Sequence, residues 1–195
     1  MNKTAIKNFA VWARRQLISE ISYKASLLGV TENGAAEPLP QSTLDLQFFD
    51  IGTKNYMEVR GAAIAQRSAL VAAMTKKARE VEWKAAFQNV IEEVAYTWFN
   101  RLIAIRFMEI NDYLPSRLRV LSSESAGKLE PDFVSNPWEA DLDLTAEEEQ
   151  EVERLKDENK LDELFRMLFI RQCNKLHEIL PELFEETHDY TELLL

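Results

Sequence analysis

The sequence predicts an all-α protein, a multi-helix domain packed around one long central helix at about residues 90–114. Three observations carry that prediction. Glycine is scarce, five in 195 residues, whereas the strong helix formers alanine, leucine and glutamate are plentiful. Apolar residues recur at intervals of three and four along most of the chain, the spacing that keeps them on one helical face. The third observation is the run 90–115, the longest apolar-periodic stretch and the one densest in large aromatics. In it Ile91, Val94, Ala95, Trp98, Leu102 and Ile105 line one face, and Phe99, Ile103 and Ile110 widen that face past half the circumference. A helix apolar over so much of its girth is surrounded by other helices. Pro115 sets its end. Glu92, Glu93, Arg101, Arg106 and Glu109 rule it out as a membrane span.

The remaining elements follow in order. Thr4 is positioned to cap a first helix, whose apolar positions Ile6, Phe9, Ala10, Ala13, Leu17, Ile21, Ala25 and Leu28 run up to a stop at Gly29. Residues 31–40 read as a loop. Residues 42–50, with Leu44, Leu46, Phe48 and Phe49, read as a short helix in this helical context. Gly52-Thr53 then reads as a stop and a new cap. A second long helix is expected from 55 to about 81, burying Tyr56, Val59, Ala63, Leu70, Ala73 and Met74, with Gly61 and many alanines allowing a neighbour's close approach. A break near Trp83 precedes the central helix. Residues 122–144 form one long irregular stretch in which Phe133, Val134 and Trp138 pack against something. Thr145 and Glu148 make a capping box for a charged helix that ends at Asn159-Lys160. A last long helix from 161 to 180 carries Leu164, Phe165, Leu168, Leu176 and Ile179, and Pro181 opens a final short turn. The expected organisation is a helical core over 1–121, an acidic irregular loop over 122–144, and carboxy-terminal helices over 145–195 packing on the core.

Charge is divided unevenly. The net charge is −10. Residues 1–121 hold 16 Lys and Arg against 12 Asp and Glu, a balance of +4, whereas residues 122–195 hold 7 against 21, a balance of −14. A free-standing DNA binder shows a basic excess, and an acidic half repels a phosphate backbone. The single cysteine, Cys173, excludes an internal disulfide framework and suits a reducing cytoplasm. Arg14 and Arg15 break any signal-peptide pattern, and no stretch reaches membrane-spanning length.

Few residue groups suggest chemistry. Lys3, Lys7 and Arg14 fall within a stripe of roughly 40° on the first helix, a candidate contact for a phosphate or an acidic partner, set against a solvated flank. Lys76, Lys77, Arg79 and Lys84 make a basic knot, offset by Glu80. Cys173 and His177 stand four apart, as two metal ligands on one helix face can, with His188 as a third. No further Cys or His pair completes a metal site, so a buried thiol and a flanking imidazole are the better reading. The carboxylates at Glu147, Glu148 and Glu149 and at Glu185-Glu186 read as solvated surface. A Ser/His/Asp hydrolase needs a nucleophile elbow that the sequence lacks. Arg106 lies close to the apolar face of the central helix with Glu109 three residues on; a buried structural ion pair is expected, against a role for Arg106 in docking another domain.

The central run also carries a resemblance. Ala95-Tyr96-Thr97-Trp98-Phe99-Asn100-Arg101-Leu102, then Arg106-Phe107-Met108-Glu109 and Tyr113-Leu114-Pro115, is similar to the amino-terminal region of the large adenine-specific DNA methyltransferases of BREX phage-defence systems, and more loosely to type II restriction-modification methylases. Leu180-Pro181-Glu182-Leu183-Phe184-Glu185, then Asp189-Tyr190-Thr191-Glu192-Leu193-Leu194-Leu195, and the opening Met1-Asn2-Lys3-Thr4-Ala5-Ile6-Lys7-Asn8-Phe9-Ala10 fit the same region. The resemblance implies an S-adenosylmethionine-dependent parent that methylates adenine N6 in a DNA recognition sequence, with its catalytic domain beyond this segment. Other BREX proteins are implied partners. It implies a structural or docking role for Trp98, Asn100, Arg101, Arg106 and Glu109. No catalytic, cofactor-binding or metal-binding residue carries over. The chain lacks the glycine-rich cofactor turn, and Asn136-Pro137-Trp138-Glu139 lacks the second proline of the adenine-holding loop and reads as a turn with a packed Trp. The rival reading is an acidic interaction module, or a DNA mimic, that binds a basic partner.

Overall fold

Helix dominates the structure, as the periodicity predicts: the described residues hold seven α-helices and two antiparallel two-stranded sheets. The computed structural model describes residues 3–184 and 188–195, so Glu185 and Glu186 lie outside the described residues. Two units are present, Met1–Phe99 with Thr187–Leu195, and Asn100–Glu186.

In the first unit α1 spans Lys3–Leu27 and already includes Thr4, which is therefore not its cap. Its buried residues are Ala13, Ile21 and Ala25, all beyond its first third. Ile6 and Phe9, expected in the core, are about half exposed, because the helix finds its packing partner, β1, at its carboxy-terminal end. Gly29 ends the run with φ of +70°, and the chain turns into β1 (Val30–Thr31), which pairs with β2 (Gly34–Ala35). A Cβ at Gly29 would stand 3.0 Å from that of Ala36, so the turn needs both the left-handed backbone and the missing side chain.

The short helix expected over 42–50 is a strand instead. β3 (Leu46–Phe49) pairs with β4 (Met57–Arg60), with Leu46 opposite Arg60 and Phe49 opposite Met57. Leu44, Leu46 and Phe48 alternate with period two, the strand signature, and the Ser42 hydroxyl accepts the Phe48 N–H at 3.0 Å. The second long helix consequently starts later: α2 covers Ala62–Lys77. Tyr56 is exposed and Val59 is buried from a strand. Gly61, expected to admit a neighbour, has open space around it and serves through its positive φ of 55° between β4 and α2. Ala62–Lys77 packs on α7 (Asp189–Leu193).

The break near Trp83 is present, and α3 runs from Trp83 to Ile110. Ile91, Val94, Ala95, Trp98 and Ile105 are buried as expected, whereas Ile103 and Ile110 are exposed. The helix stops ahead of Pro115: Asp112 adopts φ of +55°, and the Tyr113 N–H returns to the Met108 carbonyl at 2.8 Å.

The second unit takes the last part of α3. Inside the irregular 122–144 stretch lie α4 (Asp132–Ser135) and a 3₁₀ turn over Pro137–Ala140. Phe133 and Val134 are buried there, but Trp138, expected to pack, is half exposed. The Thr145–Glu148 capping box opens α5 (Ala146–Asp157), which packs on α6 (Leu161–Ile179), as does α4. Asn159, at φ of +55°, turns the chain between them. Leu164, Leu168 and Leu176 form the buried stripe of α6, whereas Ile179 at its end is exposed. Among the described residues no helix is long and apolar enough to cross a membrane.

Gly29→Ala should destabilise the protein by roughly 2 kcal/mol or more in urea unfolding, since it adds left-handed strain to the clash with Ala36; a loss below about 0.5 kcal/mol would contradict the assigned turn.

Candidate functional site

The motif pair Arg106 and Glu109 is joined, with the burial reversed from expectation. Arg106 is half exposed and Glu109 is fully enclosed. An arginine four residues before the helix end reaches water past its own stem, while the shorter glutamate is covered by the chain that follows. A buried carboxylate needs donors for its lone pairs. Glu109 Oε1 accepts from the Arg106 guanidinium and from the Ser122 hydroxyl (2.7 Å), and Oε2 accepts from the Leu121 backbone N–H (2.6 Å). Arg119 donates to the Glu109 backbone carbonyl and lies 3.4 Å from both Asp112 and Glu124. The end of α3 is thus bonded to residues 119–122.

That segment passes the connection on. The Phe133 N–H donates to the Arg119 carbonyl and the Asp132 N–H to the Ser122 carbonyl, both at 3.0 Å. The Asp132 carboxylate accepts from the Ser123 hydroxyl (2.6 Å) and the Glu124 N–H (2.8 Å), with Lys128 nearby. Burial pushes the Asp132 carboxyl up, but these donors together hold it below its ordinary value. Farther along, Lys175 of α6 bridges Asp141 (3.2 Å) and Asp143 (2.8 Å), and Arg171 pairs with Glu148. The bond to Asp143 is the main reason the Lys175 ammonium sits above its usual range. The acidic half is therefore partly neutralised from within.

The first unit has its own buried ion, Arg67, which the sequence reading passed over. Its Nε donates to the Leu28 carbonyl and its Nη2 to the Ala36 carbonyl, each at 2.7 Å, and its guanidinium lies 3.5 Å from the centroid of the Phe49 ring. One side chain of α2 so gathers the end of α1, the end of β2 and strand β3. Burial lowers its pKa to about 10, against the opposing pull of Glu37. A signal was present: Ala63, Arg67, Leu70 and Met74 share helical spacing, which places an arginine on an apolar stripe. Asp132 and Lys175 were also missed, and their partners lie in loops that periodicity does not reach.

The other predicted residues are dispersed. Lys3 and Lys7 are exposed on α1, while Arg14 is paired with Glu92 of α3 at 2.8 Å. Trp98 is buried and its indole N–H donates to the Thr191 carbonyl at 3.0 Å, which joins α3 to α7. Arg101 is buried and Asn100 half-buried. Glu80 makes no ion pair with Lys84, which pairs with Glu32 at 3.0 Å instead. Cys173 is buried; His177 Nδ1 donates to the Phe184 carbonyl at 2.6 Å, and His188 stacks on Tyr190. Among the described residues no group of three His, Cys, Asp or Glu is placed to hold a metal.

Fold and site define a mainly helical protein in which buried ions tie loops to helices. Its sequence is similar from end to end to adenine-specific methyltransferases. It is 44% identical over 200 residues to the adenine-specific methyltransferase PglX of Lacticaseibacillus casei (strain Zhang). It is 32% identical over 203 residues to the adenine-specific methyltransferase BrxX of Escherichia coli O9:H4 (strain HS). Both alignments cover 100% of this chain but only 16% and 15% of the relatives, so the chain spans about one-sixth of their length. No family profile matches it. The resemblance first visible in Trp98, Asn100, Arg101, Arg106 and Glu109 therefore extends along the whole chain.

Two outcomes follow from the Glu109 network. Glu109→Ala should cost about 3–5 kcal/mol in denaturant unfolding, because it leaves the Leu121 N–H and the Ser122 hydroxyl without their acceptor and empties a filled, enclosed position. Arg106→Ala, which leaves Ser122 and Leu121 in place, should cost only about 1.5–3 kcal/mol; equal losses would show that the arginine carries the network. Asp132, held below its ordinary pKa, stabilises the fold fully above about pH 4 and loses that contribution as pH falls through its folded value. Asp132→Asn should therefore flatten the acid limb of stability against pH, read by thermal unfolding between neutral and acid buffers.

Proposed function

We propose that this chain is the amino-terminal helical domain of an S-adenosylmethionine-dependent, site-specific DNA adenine-N6 methyltransferase of a BREX phage-resistance system, acting in the cytoplasm. The observation that carries this reading is the end-to-end similarity to PglX and BrxX, both named adenine-specific methyltransferases. In it the parent binds DNA and the cofactor, and the present segment supplies structure and docking, with its carboxy-terminal helices leading toward the catalytic domain.

The exposed apolar residues of α1 support the docking role. Ile6, Phe9, Val11 and Trp12 are each between 44% and 60% exposed, and the Phe9 and Trp12 rings lie 6.0 Å apart. A solvated helix flank has no need of four such residues. In this reading they are covered by the rest of the same polypeptide, with Lys3 and Lys7 at the rim.

Base-modification sequencing of host DNA tests the reading. N6-methyladenine should occur at one fixed sequence and vanish when the gene is deleted; methylation that persists would overturn it. Phe9→Glu with Trp12→Glu should reduce methylation by the full-length protein severalfold, while shifting the 195-residue chain's unfolding free energy by no more than about 0.5 kcal/mol. The same chain should show no calorimetric heat with S-adenosylmethionine.

A further inference from the structure

The basic knot at the end of α2, the turn after it and the start of α3 separates into two pairs. Lys77 is engaged by Glu93 at 2.5 Å, and Lys84 by Glu32 at 3.0 Å. Lys76 and Arg79 make no ion pair among the described residues, and both line one groove of about 560 Å³. Arg67 lines the same groove although it is only 5% exposed. Its Nε and Nη2 are committed to carbonyls, while its Nη1 makes no hydrogen bond among the described residues. Glu37 is the one carboxylate in the lining, and the Gln47 carboxamide with the hydroxyls of Ser68 and Thr75 completes its polar part. Three cations against one anion leave the groove two charges positive.

Basic residues near a helix carboxy terminus also complement the helix dipole, and that bland account fits Lys76 by itself. It does not explain a buried guanidinium with a spare donor in the same groove as two unpaired cations. The second unit offers a contrast: its groove of about 500 Å³ holds Arg106 and Arg119, but Glu109, Asp112 and Glu124 already pair with them. Carboxylates balance the charge there, whereas the Arg67 groove keeps its positive surplus.

We propose that this groove binds the phosphate group of a phosphate monoester. A monoester carries between about −1.5 and −2 charges at neutral pH, close to the surplus in the groove, and it presents several oxygens to planar arginine donors. The site belongs to the first unit alone and does not depend on the methylase reading, so either proposal can fail without the other.

The test is calorimetric titration of the 195-residue chain with inorganic phosphate, adenosine monophosphate and a short DNA duplex, at constant ionic strength to remove general screening. Phosphate and the monophosphate should bind in the millimolar range or tighter, and Lys76→Gln with Arg79→Gln should weaken them at least about tenfold. Lys77→Gln with Lys84→Gln makes the same change in net charge and should leave binding within about twofold. No heat with either small anion would overturn the site, as would equal weakening by both double variants. Binding of the duplex alone would also overturn it, because the ligand would then be a diester backbone.

Discussion

A charge removed from water must be given partners, and in this protein that requirement shapes the chain around two side chains. Unpaired, a buried guanidinium or carboxylate costs several kcal/mol, comparable with the whole stability of a domain of this size. Arg67 and Glu109 each meet the cost by recruiting backbone and side-chain groups distant in sequence. Leu28 and Ala36 lie 39 and 31 residues from Arg67. Leu121 and Ser122 lie 12 and 13 residues from Glu109. Each ion converts a loop that could wander into one that has a single place to go.

The consequences spread differently in the two units. Around Arg67 the chain is drawn into a small hub where α1, the first hairpin and β3 meet, and Phe49 supplies an aromatic face for the cation. Around Glu109 the effect is serial. The carboxylate orders residues 119–122, those carbonyls receive the amides of α4, and Asp132 closes the turn before it. Farther along, Arg171 and Lys175 hold the acidic segment against α6. The strong negative balance of residues 122–195 is thus in part a structural feature, with several carboxylates spent on internal cations. That weakens the picture of a uniformly acidic surface mimicking DNA.

The basic residues show the same economy. Arg14, Lys77 and Lys84 are all used in ion pairs with acids on other elements, whereas Lys3, Lys7, Lys76 and Arg79 make none among the described residues. Adjacent lysines can have opposite fates, as Lys76 and Lys77 do, because neighbouring side chains point about 100° apart around a helix. A charge run read as a block therefore says little about which of its members can meet a ligand.

What the sequence determined by itself was whatever depends on residues close together in the chain. The helices at Lys3–Leu27, Trp83–Ile110, Ala146–Asp157 and Leu161–Ile179 follow from apolar spacing, the Thr145–Glu148 capping box and the stops at Gly29 and Asn159. The resemblance to adenine-specific methyltransferases was likewise legible in local motifs, and so was the pairing of Arg106 with Glu109 three residues on. Tertiary structure alone decided the rest. Leu44, Leu46 and Phe48 alternate, but only pairing with Met57–Arg60 makes a strand of that pattern. Ile6 and Phe9 fit a buried stripe, yet the described residues leave both about half exposed. Glu109 rather than Arg106 is the buried ion because residues 119–122 close over it, and Arg67 becomes an anchor because Leu28 and Ala36 arrive with unsatisfied carbonyls. Periodicity reports which way a side chain faces; what it faces is set by segments tens of residues away.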